Sequence, residues 1–243
     1  MGVSVRISRS IQLGESSGRV HLYSRCHNKE YLLRQAYDKD DFLKCTFSSV
    51  NSEKYQHFQK VGVSAFCIMN NHFHILYTYN SGWENLSNHT RTAHGKFGRR
   101  FNDRLNRSGK VAESRPKTTF IQDAYHDMMA HFYIEANPIR AGICTFETLR
   151  HYKHCSYRFF AFGEVDQYTE CLEIPEWYKE LGETDYQRQR AYRALFKSYL
   201  ERTDGFAKLK RLVHKIYFGR ARWVDEKTAK LRKPIHPKKP RSD

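Results

Sequence analysis

The chain lacks any Cys-x-x-Cys pair. Its six cysteines (26, 45, 67, 144, 155 and 171) stand scattered through 243 residues. A disulfide framework is therefore not expected, and a reduced cytosolic protein is. No apolar run approaches the length that crosses a bilayer. The first ten residues, Met-Gly-Val-Ser-Val-Arg-Ile-Ser-Arg-Ser, hold no apolar stretch of the signal-peptide kind. Acidic residues are the remaining shortage, with 26 Asp and Glu against 42 Lys and Arg, a formal charge of +16. That field favours a phosphate-bearing partner through counterion release, although ribosomal and membrane-surface proteins share it. A chain of this length can bury one core, or one core with a smaller annex.

What is present reads as strand, helix, hairpin, helix, strand, helix. Residues 19–25 alternate as a first strand, and residues 41–59 form a helix opened by Asp40 or Asp41. Strands 62–69 and 72–79 pair across Asn70-Asn71, a dipeptide that tolerates the positive φ of tight hairpins. A helix over 84–106 follows, opened by the capping pattern Ser81-Gly82-Trp83-Glu84. On it Leu86, Ala93, Phe97, Phe101 and Leu105 make an apolar stripe, and Lys96, Arg99, Arg100, Arg104 and Arg107 a basic one. A polar loop over 107–118 reads as mobile, and 119–124 as an edge strand. The pattern predicts an α+β fold, a ferredoxin-like antiparallel sheet with helices on one face.

Two stretches carry chemistry. His72 and His74 flank Phe73 on a strand, so both project from one side. Two imidazoles so placed suit a shared metal ion, and equally an ordinary sheet surface. Farther on, Met129, Phe132, Tyr133 and Ala136 recur at helical spacing, with Asp127 as N-cap and Pro138 stopping the helix at Asn137. Tyr133 and Asn137 stand four apart on that surface and face one neighbour. Alone, they also read as a core tyrosine and a cap. His151, His154 and Cys155 read as a polar helix or loop surface rather than a metal site.

His-Phe-His followed by Tyr-Ile-Glu-Ala-Asn-Pro-Ile-Arg-Ala-Gly (133–142) resembles the single-tyrosine HUH transposases, and most closely the REP-associated tyrosine transposases. The resemblance covers about residues 18–160 and continues weakly to about 200 through Ser156-Tyr157-Arg158 and Arg190-Ala191-Tyr192-Arg193. It implies that Tyr133 is the nucleophile, that His72 and His74 are metal ligands, and that Asn137, where the wider group often has glutamine, is the third. An incomplete shell of two imidazoles and an amide oxygen suits Mg2+ or Mn2+ better than a closed zinc site. The implied activity is single-strand DNA cleavage and strand transfer at hairpin or palindromic elements, through a covalent 5′-phosphotyrosine. The implied location is a bacterial cytoplasm, at the nucleoid. Beside such a site the basic stripe of Lys96, Arg99, Arg100, Arg104 and Arg107 is expected to lie along DNA phosphates.

The expected organisation is an N-terminal extension (1–17), the catalytic domain (18–160), a helical annex (161–226) and a basic disordered tail (227–243). Annex helices are predicted at 172–182 and 184–200, the second burying Tyr192, Leu195, Phe196 and Tyr199. No long apolar helix face is left over, so a monomer is expected, while related enzymes also form dimers. The alternative function is a noncatalytic hairpin DNA- or RNA-binding protein that retains the fold. A replication or plasmid-transfer HUH endonuclease fits less well, because of the Tyr-Ile-x-x-Asn-Pro block and the short chain.

Overall fold

The structure, a computed structural model, describes residues 17–50, 61–80, 82–202 and 215–232. Its centre is a sheet of β1 (Ser17–Arg25), β2 (Val61–Ile68), β3 (His72–Asn80), β4 (Lys117–Ile121) and β5 (Tyr217–Phe218). The spatial order is β2-β3-β1-β4-β5. β1, β2, β3 and β4 pair antiparallel, and the two residues of β5 run parallel to β4. With α1 (Ala36–Val50) between β1 and β2, and α2 (Trp83–Arg104) between β3 and β4, the core follows the ferredoxin-like plan. β4 is thus not the edge that its sequence suggested. The expected helix to residue 59 is described only to Val50 and begins at Ala36, ahead of the proposed Asp40 or Asp41 cap.

Strand alternation sorts the two faces. Phe73 and Tyr77 of β3 meet α1 and α2, with ring centroids 4.3 Å apart for Phe42 and Phe73 and 5.3 Å for Tyr77 and His89. His72 and His74 point to the opposite face, which is covered by α3 (Ala124–Glu135). Helices therefore cover both faces of the sheet, not one. The reason lies in α3, whose Ala130, His131, Phe132, Tyr133, Ile134 and Glu135 are all buried. A helix segment buried all round, as residues 130–135 are, must be sandwiched; Tyr133 meets the sheet while Phe132 packs outward on Tyr192, Phe196 and Tyr199.

Those outer rings belong to α7 (Asp185–Glu201), which lies beyond α4 (Asn137–Arg140), α5 (Tyr157–Phe162) and α6 (Glu176–Lys179). The helix expected over 172–182 shrinks to the four residues of α6, and Leu195 is 37% exposed rather than buried. α7 opens with a capping box on Thr184 and Gln187. α2 lacks the one expected for it: Gly82 is its N-cap, with φ 100° and no side-chain cap bond, and Ser81 lies outside the described residues. α8 (Ala221–Arg232) carries order into the stretch expected to be disordered from 227. An Arg222 and Glu226 ion pair at 2.9 Å and the edge-to-face contact of Trp223 with Tyr217 support it. The rest of the predicted tail, 233–243, and the predicted extension up to residue 16 lie outside the described residues.

The β2–β3 hairpin also departs from expectation. Neither Asn70 nor Asn71 takes a positive φ. The turn is held by its polar groups: Met69 N–H donates to His72 O at 2.8 Å, and Lys39 Nζ to Asn70 Oδ1 at 2.9 Å. Cys26 N–H donates to Asn71 O at 2.8 Å. His154 and Cys155 are buried rather than on a polar surface, because a one-pair bridge joins Cys155 to Cys67 and His154 reaches Asp40 at 3.0 Å.

Candidate active site

Tyr133 sits in the last full turn of α3. The N-cap of that helix is Asp123, whose Oδ1 accepts from His126 N–H at 3.0 Å. Asp127, expected in that role, is instead buried inside the helix, paired with Arg19 of β1 at 2.6 Å and accepting from Trp177 Nε1 at 2.7 Å. α3 ends at Glu135, two residues before the expected stop at Asn137. Pro138 has no N–H for the carbonyl of Ile134, so that oxygen needs another donor. Asn137 supplies it: its Nδ2 donates to Ile134 O at 2.9 Å and to Tyr133 O at 3.0 Å. With the amide nitrogen committed, the carboxamide oxygen Oδ1 is left to accept.

Arg140, one turn on, donates to Tyr133 O at 2.9 Å and lays its guanidinium 3.9 Å from the centre of the Tyr133 ring. Burial pushes the Tyr133 phenol above its ordinary pKa, and the Arg140 charge pulls against it. Across from Tyr133 the rings of His74 and His21 lie 5.7 and 6.0 Å from it, centroid to centroid, and His72 lies 5.2 Å from His74. Burial, reinforced by Arg25 and Arg140, holds His72 down at about 4, and burial with His21 and His72 beside it holds His74 well below the usual histidine range. Both imidazoles are therefore neutral at physiological pH, the form that binds metal.

His72, His74, Tyr133 and Asn137 line one cleft of about 270 Å³. The four chemical residues expected from the sequence are thus brought together. Tyr23, Ser24, Arg25, Glu113, Ser114, Arg115 and Lys117 complete the lining. Three cations against the carboxylate of Glu113 make an anion-attracting wall. The loop before β4, read as merely mobile, supplies three of these residues. Tyr125, the other tyrosine near α3, is 57% exposed and outside the cleft.

The basic stripe of α2 is not part of this assembly. α2 covers the other face of the sheet, and none of Lys96, Arg99, Arg100, Arg104 and Arg107 lines the cleft. Arg100 pairs with Asp41 of α1 at 2.6 Å, and Arg104 pairs with Asp38 of α1 while stacking over Tyr37. Arg107 lies over Phe101, and Leu105, expected in the apolar stripe, is 48% exposed at the helix end.

His72, His74 and Asn137 are the lining residues that would hold a divalent cation. Two neutral imidazoles and an amide oxygen present lone pairs and no proton-bearing acid, and the described residues hold no cluster of three His, Cys, Asp or Glu that would close a zinc-type site. Sequence reasoning missed His21, Arg25, Lys117 and Arg140 as site residues. Of these only Arg140 carried a signal, its place seven residues after Tyr133 on a helical path.

No protein-family model and no curated protein sequence matches the chain. A solved structure, that of a REP-associated tyrosine transposase bound to a REP hairpin, is similar, with a TM-score of 0.50 and 14% sequence identity. The match covers 72% of this chain and 99% of that one. At this identity the likeness concerns the fold alone: the α+β architecture of this chain is similar to that of the neighbour. No described helix is long and apolar enough to cross a membrane.

Proposed function

We propose that this chain is a metal-dependent single-strand DNA endonuclease and strand transferase that acts at hairpin or palindromic DNA. The observation that carries the reading is the convergence of Tyr133, His72, His74 and Asn137 on one cationic cleft. The neighbouring fold, described with a bound REP hairpin, supports the choice of substrate. Mg2+ or Mn2+ held by His72, His74 and Asn137 would supply Lewis-acid stabilisation of charge on the phosphoryl oxygens.

The residues of the chain do the rest. Arg25, Arg115 and Lys117 draw the phosphodiester into the cleft. Arg140 favours the anionic form of Tyr133, and the phenolic oxygen attacks phosphorus. The bond from phosphorus to the 3′-oxygen breaks, that oxygen leaves with a proton, and a 5′-phosphotyrosine remains. Attack on this link by another 3′-hydroxyl rejoins DNA and returns the phenol, so no external energy source is required.

A hairpin-bearing single strand labelled 3′ of the cleavage site, incubated with MnCl2, is expected to yield a denaturation-resistant adduct with the wild-type protein and none with Tyr133→Phe. An adduct on Tyr133→Phe removes Tyr133 from the role. The second reading, a noncatalytic hairpin-binding protein, is favoured by the burial that keeps the phenol protonated. Tight hairpin binding without any adduct in Mg2+ or Mn2+ would establish it instead.

A further inference from the structure

His21 stands outside every motif in the sequence, yet its ring shares a hydrogen bond with His74. His21 Nε2 lies 2.8 Å from His74 Nδ1, the rings are 7° from parallel, and His21 is 1% exposed. Two neutral imidazoles at this distance hold one proton between them, and it can belong to either. If His21 donates, the proton of His74 sits on Nε2 and the cleft receives an N–H. If His74 donates from Nδ1, its Nε2 offers the cleft a lone pair. Only the second arrangement can ligate a cation.

The neighbours show which kind of atom the cleft collects. His72 Nδ1 lies 2.7 Å from Asn71 Oδ1, an acceptor, so the His72 proton is on Nδ1 and its Nε2 is a bare lone pair. Asn137 commits its Nδ2 to the carbonyls of Tyr133 and Ile134 and keeps Oδ1. Among the described residues no hydrogen bond engages Nε2 of either His72 or His74. Register explains why the partner of His74 comes from β1: Tyr23 is the cross-strand partner of His74, and His21, two residues earlier, projects from the same face.

We propose that His21 is a positioning residue: it accepts the Nδ1 proton of His74 and so holds that ring in the tautomer and orientation that offer Nε2 to a divalent cation. The inference rests on the cation-holding role proposed above for His74. Asn71 does the same for His72, so each candidate ligand has its own support from behind, an arrangement that typically governs metal affinity by ten- to a hundredfold.

The test uses the full chain. Nitrogen-15 spectra of the histidine side chains in the metal-free protein report the tautomer, and calorimetric titration with MnCl2 reports affinity. The wild type is expected to carry the His74 proton on Nδ1. His21→Phe, which keeps an aromatic ring but has no acceptor, is expected to lose that preference and to bind Mn2+ about ten- to a hundredfold more weakly. His21→Gln, whose amide oxygen can take the proton, is expected to recover most of the affinity. A wild-type His74 protonated on Nε2, or His21→Phe that binds Mn2+ as tightly as wild type, overturns the inference and leaves the cation site standing. Wild-type protein that takes up no Mn2+ overturns the site itself, and the inference with it. Should His21→Phe fail to fold, the wild-type spectrum and His21→Gln decide.

Discussion

Arg140 touches Tyr133 twice, through the ring face and through the backbone carbonyl. The first contact bears on chemistry, because the guanidinium opposes the burial that keeps the phenol protonated. Each unit by which the phenol pKa rises lowers the phenolate population about tenfold. Arg140→Gln keeps a donor for the carbonyl and removes the charge. Its single-turnover cleavage rate near pH 8 should therefore fall by about ten- to a hundredfold, the rising limb of the pH–rate profile should move to higher pH, and hairpin affinity should hold within about threefold. An unmoved limb would mean that Arg140 serves only to hold the helix end. Asp127 poses a different question, that of stability. Burial pushes its carboxyl up to about 6 against the pull of Arg19 and Trp177, with Glu173 adding to the rise. The folded state therefore holds a proton that the unfolded chain, titrating near 3.8, releases. The contribution is fully present below about pH 4 and is lost as pH rises to about 6, at no more than about 1.4 kcal/mol per unit. Urea melts from pH 4 to 7 should show this decline in the wild type and a flatter profile in Asp127→Asn. Equal slopes would mean that Arg19 keeps the carboxylate ionised.

At the scale of elements, the two sources of positive charge part company. Arg100 and Arg104 of α2 are spent on Asp41 and Asp38 of α1, whereas Arg25, Arg115 and Lys117 stand in the cleft. Alanine at each cleft cation should lower hairpin affinity and reduce the slope of log affinity against log salt by about one. Alanine at Arg100 should leave that slope alone and change stability little, because an exposed pair contributes little. A salt slope carried by Arg100 instead would return α2 to the DNA interface. The same division marks what the sequence could reveal. The pairing of Tyr133 with Asn137 and of His72 with His74 depends only on the local period of a helix and a strand, so both were legible. The partnership of His21 with His74 spans 53 positions and follows from strand register, which no local pattern displays. The placement of α3 was hidden for a related reason: its apolar residues face two partners, and a periodicity built for one face merges them.

For the whole molecule, the question is whether the annex can be separated from the site. The sequence divides at residue 160; the packing does not. Phe132 of α3 meets Tyr192, Phe196 and Tyr199 of α7, with centroids 5.3 to 5.6 Å away. Glu135, buried two residues after Tyr133, accepts from Tyr192 Oη and from Ser156 Oγ, each at 2.6 Å. Removing the annex would expose the outer side of the helix that carries Tyr133 and strip a buried carboxyl of a donor. Phe196→Ala should cost about 3 to 5 kcal/mol. If sheet and annex form one cooperative unit, the Trp177 environment and the backbone signal should melt together in the wild type and in this variant. A chain ending at Phe162 should then show no cooperative transition and no hairpin cleavage. Two separate transitions, with the shorter chain still forming the Tyr133 adduct, would make the annex a dispensable neighbour and leave the sheet and α3 to hold the cleft by themselves.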